Sequence, residues 1–140
     1  MEPNEKAFRE LIMVYESIDA ADIEYWLVNK DPDTLKLHEY LRITTGFGNS
    51  KSCMLCKAVT DQFTSRIDCD NCLWVIVTKN ICFGGCNKQT FQTLDEYTVD
   101  TKNYDIEEIT KTILDIINKR VKRMKVVLER WKAKQSNSIS

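Results

Sequence analysis

Apolar residues recur with a helical period at both ends of the chain and lose that period in the middle. In "NEKAFRELIMVYESI", Phe8, Leu11, Ile12, Tyr15 and Ile18 share one stripe with a repeat near 3.6, which predicts an amphipathic helix with one buried face. "DAADIEYWLV" predicts a second helix, with Asp19 as N-cap, Asp22 at N3 and an apolar face of Ile23, Trp26 and Leu27. "KDPDTLKLHEYLRITTG" predicts a third: Asp31 caps it, Pro32 takes the first turn, Asp33 suits the positive dipole end and Gly46 stops it.

The longest periodic run lies toward the other end. "DIEEITKTILDIINKRVKRMKVVLERWKAK" opens on Asp105 as N-cap with Glu108 three residues on, the reciprocal capping pattern. Ile109, Ile113, Ile116, Ile117, Val121, Met124, Leu128 and Trp131 then recur mostly every three or four residues. The spacing predicts one helix over 105–134, on the order of 40 Å long. That outreaches a small domain, so part of the seam is expected to meet the N-terminal helices and the rest another chain, as in a homodimer through this helix. Residues 135–140 read as a disordered tail.

Between these runs, residues 47–104 carry no helical repeat. "GFGNSKS" reads as a loop, "LWVIVT" as a β-branched strand, "AVTDQFTSRI" as its partner strand, and 87–103 as polar loop. The expected fold is one mainly α domain: N-terminal helices over 1–46, a cysteine module over 47–104 and the long C-terminal helix, arranged around a small zinc-ribbon-like β-hairpin. Two strands alone are marginal in water, so the hairpin needs a staple.

The cysteines supply a candidate. "CMLCKAVTDQFTSRIDCDNC" holds two C-x-x-C pairs twelve residues apart, among six cysteines in the chain. The charged N-terminus "MEPNEKAFRE" lacks a secretory h-region, and apolar runs reach about five residues against the ~20 needed to span a bilayer, which predicts a soluble cytoplasmic protein. In a reducing compartment thiols bind metal rather than pair as disulfides. Two sulfurs of one short turn can reach the same tetrahedral ion, and two such turns complete it, so Zn2+ held by Cys53, Cys56, Cys69 and Cys72 is the expected centre. Such an ion contributes about 10 kcal/mol or more in small zinc peptides. In "TKNICFGGC", Cys82 is a possible substitute ligand and Cys86 either joins it or is a small buried hydrophobe. Iron–sulfur ligation would draw on the same thiolates. A thioredoxin-like pair needs C-x-x-C opening a helix, whereas the residues after Cys56 and Cys72 read as strand.

At 140 residues, 43% hydrophobic and 29% charged, the composition suits one globular domain. Charge is uneven: residues 1–50 carry ten acidic and five basic side chains, and 101–140 the reverse. Lys119, Arg120, Lys122, Arg123 and Lys125 cluster within two turns and could hold an acidic partner or phosphate, although a solvated helix face explains them too. The net charge of −1 favours a protein partner over nucleic acid. Trp131, near the end of the long helix, is the candidate exposed anchor; Trp26 and Trp74 suit core positions. His38 is the only histidine, no phosphate loop or deaminase motif is present, and four thiolates leave no open coordination position, so no catalysis is expected.

The order "TTGFGNSKSCMLCKAV", then "CDNCLWVIVTKNIC", then a long helix resembles a group of small phage-encoded cysteine-cluster proteins. The likeness spans roughly residues 44–131 and rests mainly on 44–82; the segment between the pairs is longer here, and Cys86 is an addition. The resemblance implies action in the cytoplasm of an infected bacterium. There a small non-catalytic protein would bind a host protein, such as a defence nuclease complex, as an anti-CRISPR-type inhibitor does.

Overall fold

The computed structural model describes residues 2–31, 35–47, 53–79 and 104–139, with side chains up to residue 136. Six helices occur among these residues: α1 Glu5–Ser17, α2 Ala20–Leu27, α3 His38–Thr45, α4 Met54–Ala58, α5 Leu73–Thr78 and α6 Ile106–Ile139. A 3-10 turn, Cys69–Asn71, precedes α5. α6 is the spine, packed against α1, α2 and α5, while α4 lies on α1.

α1 buries Phe8, Leu11, Ile12 and Tyr15, the face that periodicity selects. α2 starts where its capping box requires: the Asp19 side chain accepts from the Asp22 N–H at 2.9 Å and Asp22 returns the bond to the Asp19 N–H at 3.1 Å. In α6, Asp105 Oδ1 accepts from the N–H groups of Glu107 and Glu108. The seam of Ile109, Ile113, Ile116, Ile117, Val121, Met124 and Leu128 is buried within a single chain. Trp131 is half-buried against the same core.

Three expectations about element limits are corrected. α3 begins at His38, with Leu37 as N-cap, rather than after Asp31; Pro32 to Thr34 lie outside the described residues. Its stop is as expected, since Gly46 adopts φ 74° and donates its N–H to the Arg42 carbonyl. α6 runs on through the expected tail to Ile139, because no Gly or Pro interrupts its backbone ladder.

The third correction concerns the hairpin. Among the described residues there is no strand, only one antiparallel bridge between Thr60 and Ile67. "LWVIVT" is α5. Its four β-branched residues cost about 2 kcal/mol in a helix relative to alanine. Burying Leu73 and Trp74 against α6 and Phe8 contributes roughly 3–6 kcal/mol, which outweighs that cost. Lys79, at φ 63°, ends the helix as glycine usually would. The expected polar loop at 87–103 lies outside the described residues.

Candidate metal centre

None of Cys53, Cys56, Cys69 and Cys72 is joined in a disulfide among the described residues. Both pairs open onto helices: Cys53 is the N-cap of α4 and Cys72 the N-cap of α5. This overturns the strand-based objection to a redox pair, although no β-strand flanks either helix among the described residues. The chain between the pairs doubles back through a turn over 61–65. There the Asp61 carboxylate accepts from the N–H groups of Phe63 and Thr64, and Asp68 N–H meets the Val59 carbonyl at 2.7 Å. The two cysteine turns thereby return to one end of α1.

Asn4 joins them. Its side chain is buried, and its Nδ2 donates both to the Leu55 carbonyl at 3.1 Å, inside the first pair, and to Cys72 Sγ at 3.3 Å, in the second. Cys53 and Cys56 are in thiol-to-thiol hydrogen-bond contact. That bond is the largest influence drawing the Cys53 thiol from 9.0 down to about 6; the N–H groups of Leu55 and Cys56 and the Arg120 charge assist, while burial opposes. Cys69 instead borders a cavity of about 670 Å³ lined with Asp61, Arg66, Asp68 and Asp70. Among the described residues no three Cys, His, Asp or Glu side chains converge around one point as ligands of a single ion would. Cys82, the possible substitute, and Cys86 lie outside the described residues. The four cysteines are soft donors in two turns tied to one another, but the described side chains do not gather three of them as a single ion requires.

No family model, curated protein or solved structure matches this chain. Among the described residues, no helix is long and apolar enough to cross a membrane.

The basic cluster does not form one surface. Arg120 is 2% exposed and belongs to the core, which corrects its placement among surface cations. Its Nε donates to the Tyr15 hydroxyl at 3.1 Å, and its guanidinium faces the rings of Tyr15, Phe47 and Trp74 within 5.6 Å. Burial and the neighbouring Arg120 lower the Arg123 pKa. Lys125 is ion-paired with Glu16 at 3.0 Å. Lys119 and Lys122 are exposed. A groove of about 330 Å³ between α5 and α6 brings Lys122 and Arg123 together with Trp74, Val126, Val127 and Arg130. Sequence reasoning missed Arg130 and Val126 in this role, although Lys122, Val126 and Arg130 follow one another at helical i, i+4 spacing.

Proposed function

We propose that this chain is a zinc-stabilised, non-catalytic helical protein that binds another protein through the groove between α5 and α6. The observation that carries this reading is the groove's make-up. Three cations surround an apolar floor, and no carboxylate occurs among its described lining residues. An acidic segment with an apolar anchor complements it: the cations attract and orient the segment, and Val126, 49% exposed, offers apolar contact. Nucleic acid suits it less, because Arg120 is internal and Lys125 is engaged by Glu16, so the charge run is broken. Zinc would cross-link the two cysteine turns and so steady α5, one wall of the groove; what it supplies is folding free energy. The resemblance to phage cysteine-cluster proteins makes a bacterial host protein the partner, with a defence nuclease complex the candidate target of inhibition. The α6 seam is covered within one chain, so light scattering is expected to report a monomer.

The test is affinity capture from bacterial lysate with the wild type and a Lys122→Glu/Arg130→Glu double variant, with mass spectrometry and elemental analysis. A specific protein held by the wild type and lost from the variant, with one zinc per chain, is the expected result. Equal capture by both, or recovery of nucleic acid with steeply salt-dependent affinity, overturns the groove assignment. A chain that neither carries nor takes up zinc overturns the metal centre.

A further inference from the structure

We infer that the groove between α5 and α6 reads a carboxylate: an Asp or Glu side chain of the bound protein segment accepts the indole Nε1–H of Trp74 at the groove floor, beside Arg123. It rests on the groove reading above, independently of any ion at the cysteines. Trp74 lines the groove, is 3% exposed, and its Nε1 has no hydrogen-bond partner among the described residues. A buried tryptophan N–H usually finds a partner, and an indole nitrogen can only donate. A donor buried without a partner is held at a cost, which an acceptor from the bound segment recovers. Trp26 Nε1, Tyr104 Oη and Thr110 Oγ1 are also buried without a partner among the described residues, but none of those three residues is among the described lining of this groove.

The surroundings fix both the donor and the sign of its acceptor. Phe8 meets the indole edge to face with centroids 5.4 Å apart, and the Arg120 guanidinium lies 5.6 Å from the indole centroid, so the ring is held before anything binds. Neither neighbour can accept the bond: phenylalanine has no polar atom and a guanidinium only donates. Lys122, Arg123 and Arg130 border the same groove with no carboxylate among its described lining residues, which favours an anionic acceptor. Burial and the charge of Arg120 hold Arg123 below its ordinary pKa, and an incoming anion offsets that charge. Hydrogen bonds to ionised acceptors are roughly twice as strong as neutral ones, so the amide of Gln or Asn, alike in shape, is discriminated against. Val126 and Val127 supply an apolar wall that a phosphate diester leaves without a partner, which makes a protein carboxylate the occupant.

The experiment titrates the isotope-labelled, reduced full chain with the acetylated, amidated peptide Leu-Glu-Leu-Glu-Leu. Its Leu-Gln-Leu-Gln-Leu counterpart, inorganic phosphate and a single-stranded oligonucleotide are titrated separately. The readout is the Trp74 indole N–H resonance, assigned through its contacts with Phe8. The expected result is a saturable downfield shift with the glutamate peptide alone. In Trp74→Phe the preference for the glutamate over the glutamine peptide is expected to fall about tenfold or more, a change that lost packing alone does not produce. Should that variant fail to fold, Arg123→Gln tests the same preference, and the wild-type shift needs no variant. A glutamate peptide that loses affinity in Lys122→Glu/Arg130→Glu, yet leaves the Trp74 resonance and the preference of Trp74→Phe unchanged, overturns the carboxylate assignment and leaves the groove standing. Equal affinity for the wild type and that double variant removes the groove itself. An equal shift with phosphate or the oligonucleotide, or no movement of the resonance with any probe, also overturns the assignment.

Discussion

The helical frame of α1, α2 and α6 and the cysteine-bearing stretch over 53–79 hold their shapes by different means. In the frame, order comes from many equivalent apolar contacts: Phe8, Leu11, Ile23, Leu27, Ile113 and Ile117 are all essentially inaccessible. In the cysteine stretch, Leu55, Val59, Leu73 and Trp74 are the main buried apolar side chains, and the helices are five and six residues long. Helices that short do not persist unaided. Besides those few apolar contacts with α1 and α6, their arrangement draws on the amide of Asn4, the N-cap of α1, and, in the proposed reading, on an ion. The lesson is that dispersed apolar burial tolerates local loss better than a polar junction does, since an unmet buried donor or acceptor costs about 1–3 kcal/mol by itself.

The sharpest way to break this contrast is to hollow the frame. Ile113→Ala, at a site with no accessible surface, is expected to cost about 2–5 kcal/mol in urea unfolding. A smaller loss would mean that the seam collapses around the gap.

A second test addresses the other region. The Cys53 thiol titrates at about 6 in the folded chain against 9.0 ordinarily, so between those values the unfolded state holds a proton that the folded state lacks. Stability of the reduced, metal-free protein should therefore rise as pH increases from 6 to 9, and that gain is lost as pH falls through 6. Cys53→Ser should flatten the rise in thermal melts; an unchanged slope assigns it to another group.

Smaller effects return to the frame. Asp19→Ala removes half of the α2 capping box and is expected to lower stability by about 1 kcal/mol. Lys125→Ala deletes a half-exposed ion pair with Glu16, and a change of about 0.5 kcal/mol or less is expected in the same urea assay.

Legibility followed the same division. α1, α2 and α6 could be read because their caps and stripes are local signals, and Asp19 with Asp22 and Asp105 with Glu108 stand at the starts the structure shows. α5 was misread because β-branched composition is a weak preference that Trp74 and Leu73 override by burial. Its stop was hidden because Lys79, rather than a glycine, takes the left-handed conformation. Asn4 stands ahead of a helix and reads as an ordinary cap, yet its side chain serves partners 51, 68 and 69 residues away, a relation no local pattern carries. Arg120 was legible and passed over. Positions 113, 117, 120 and 124 keep the seam's spacing, and the surrounding run of cations disguised it.

The reliance of α1 and α2 on α6 for their cover bears on synthesis. Both leave the ribosome long before Ile109 to Leu128 exist, so their apolar stripes lack their main native cover until late in synthesis, although α3 and α4 can already meet α1. Folding should wait for the spine, and until then those stripes are ligands for chaperones. Nascent chains stalled before α6 are expected to be protease-sensitive throughout, and chains stalled after its emergence resistant.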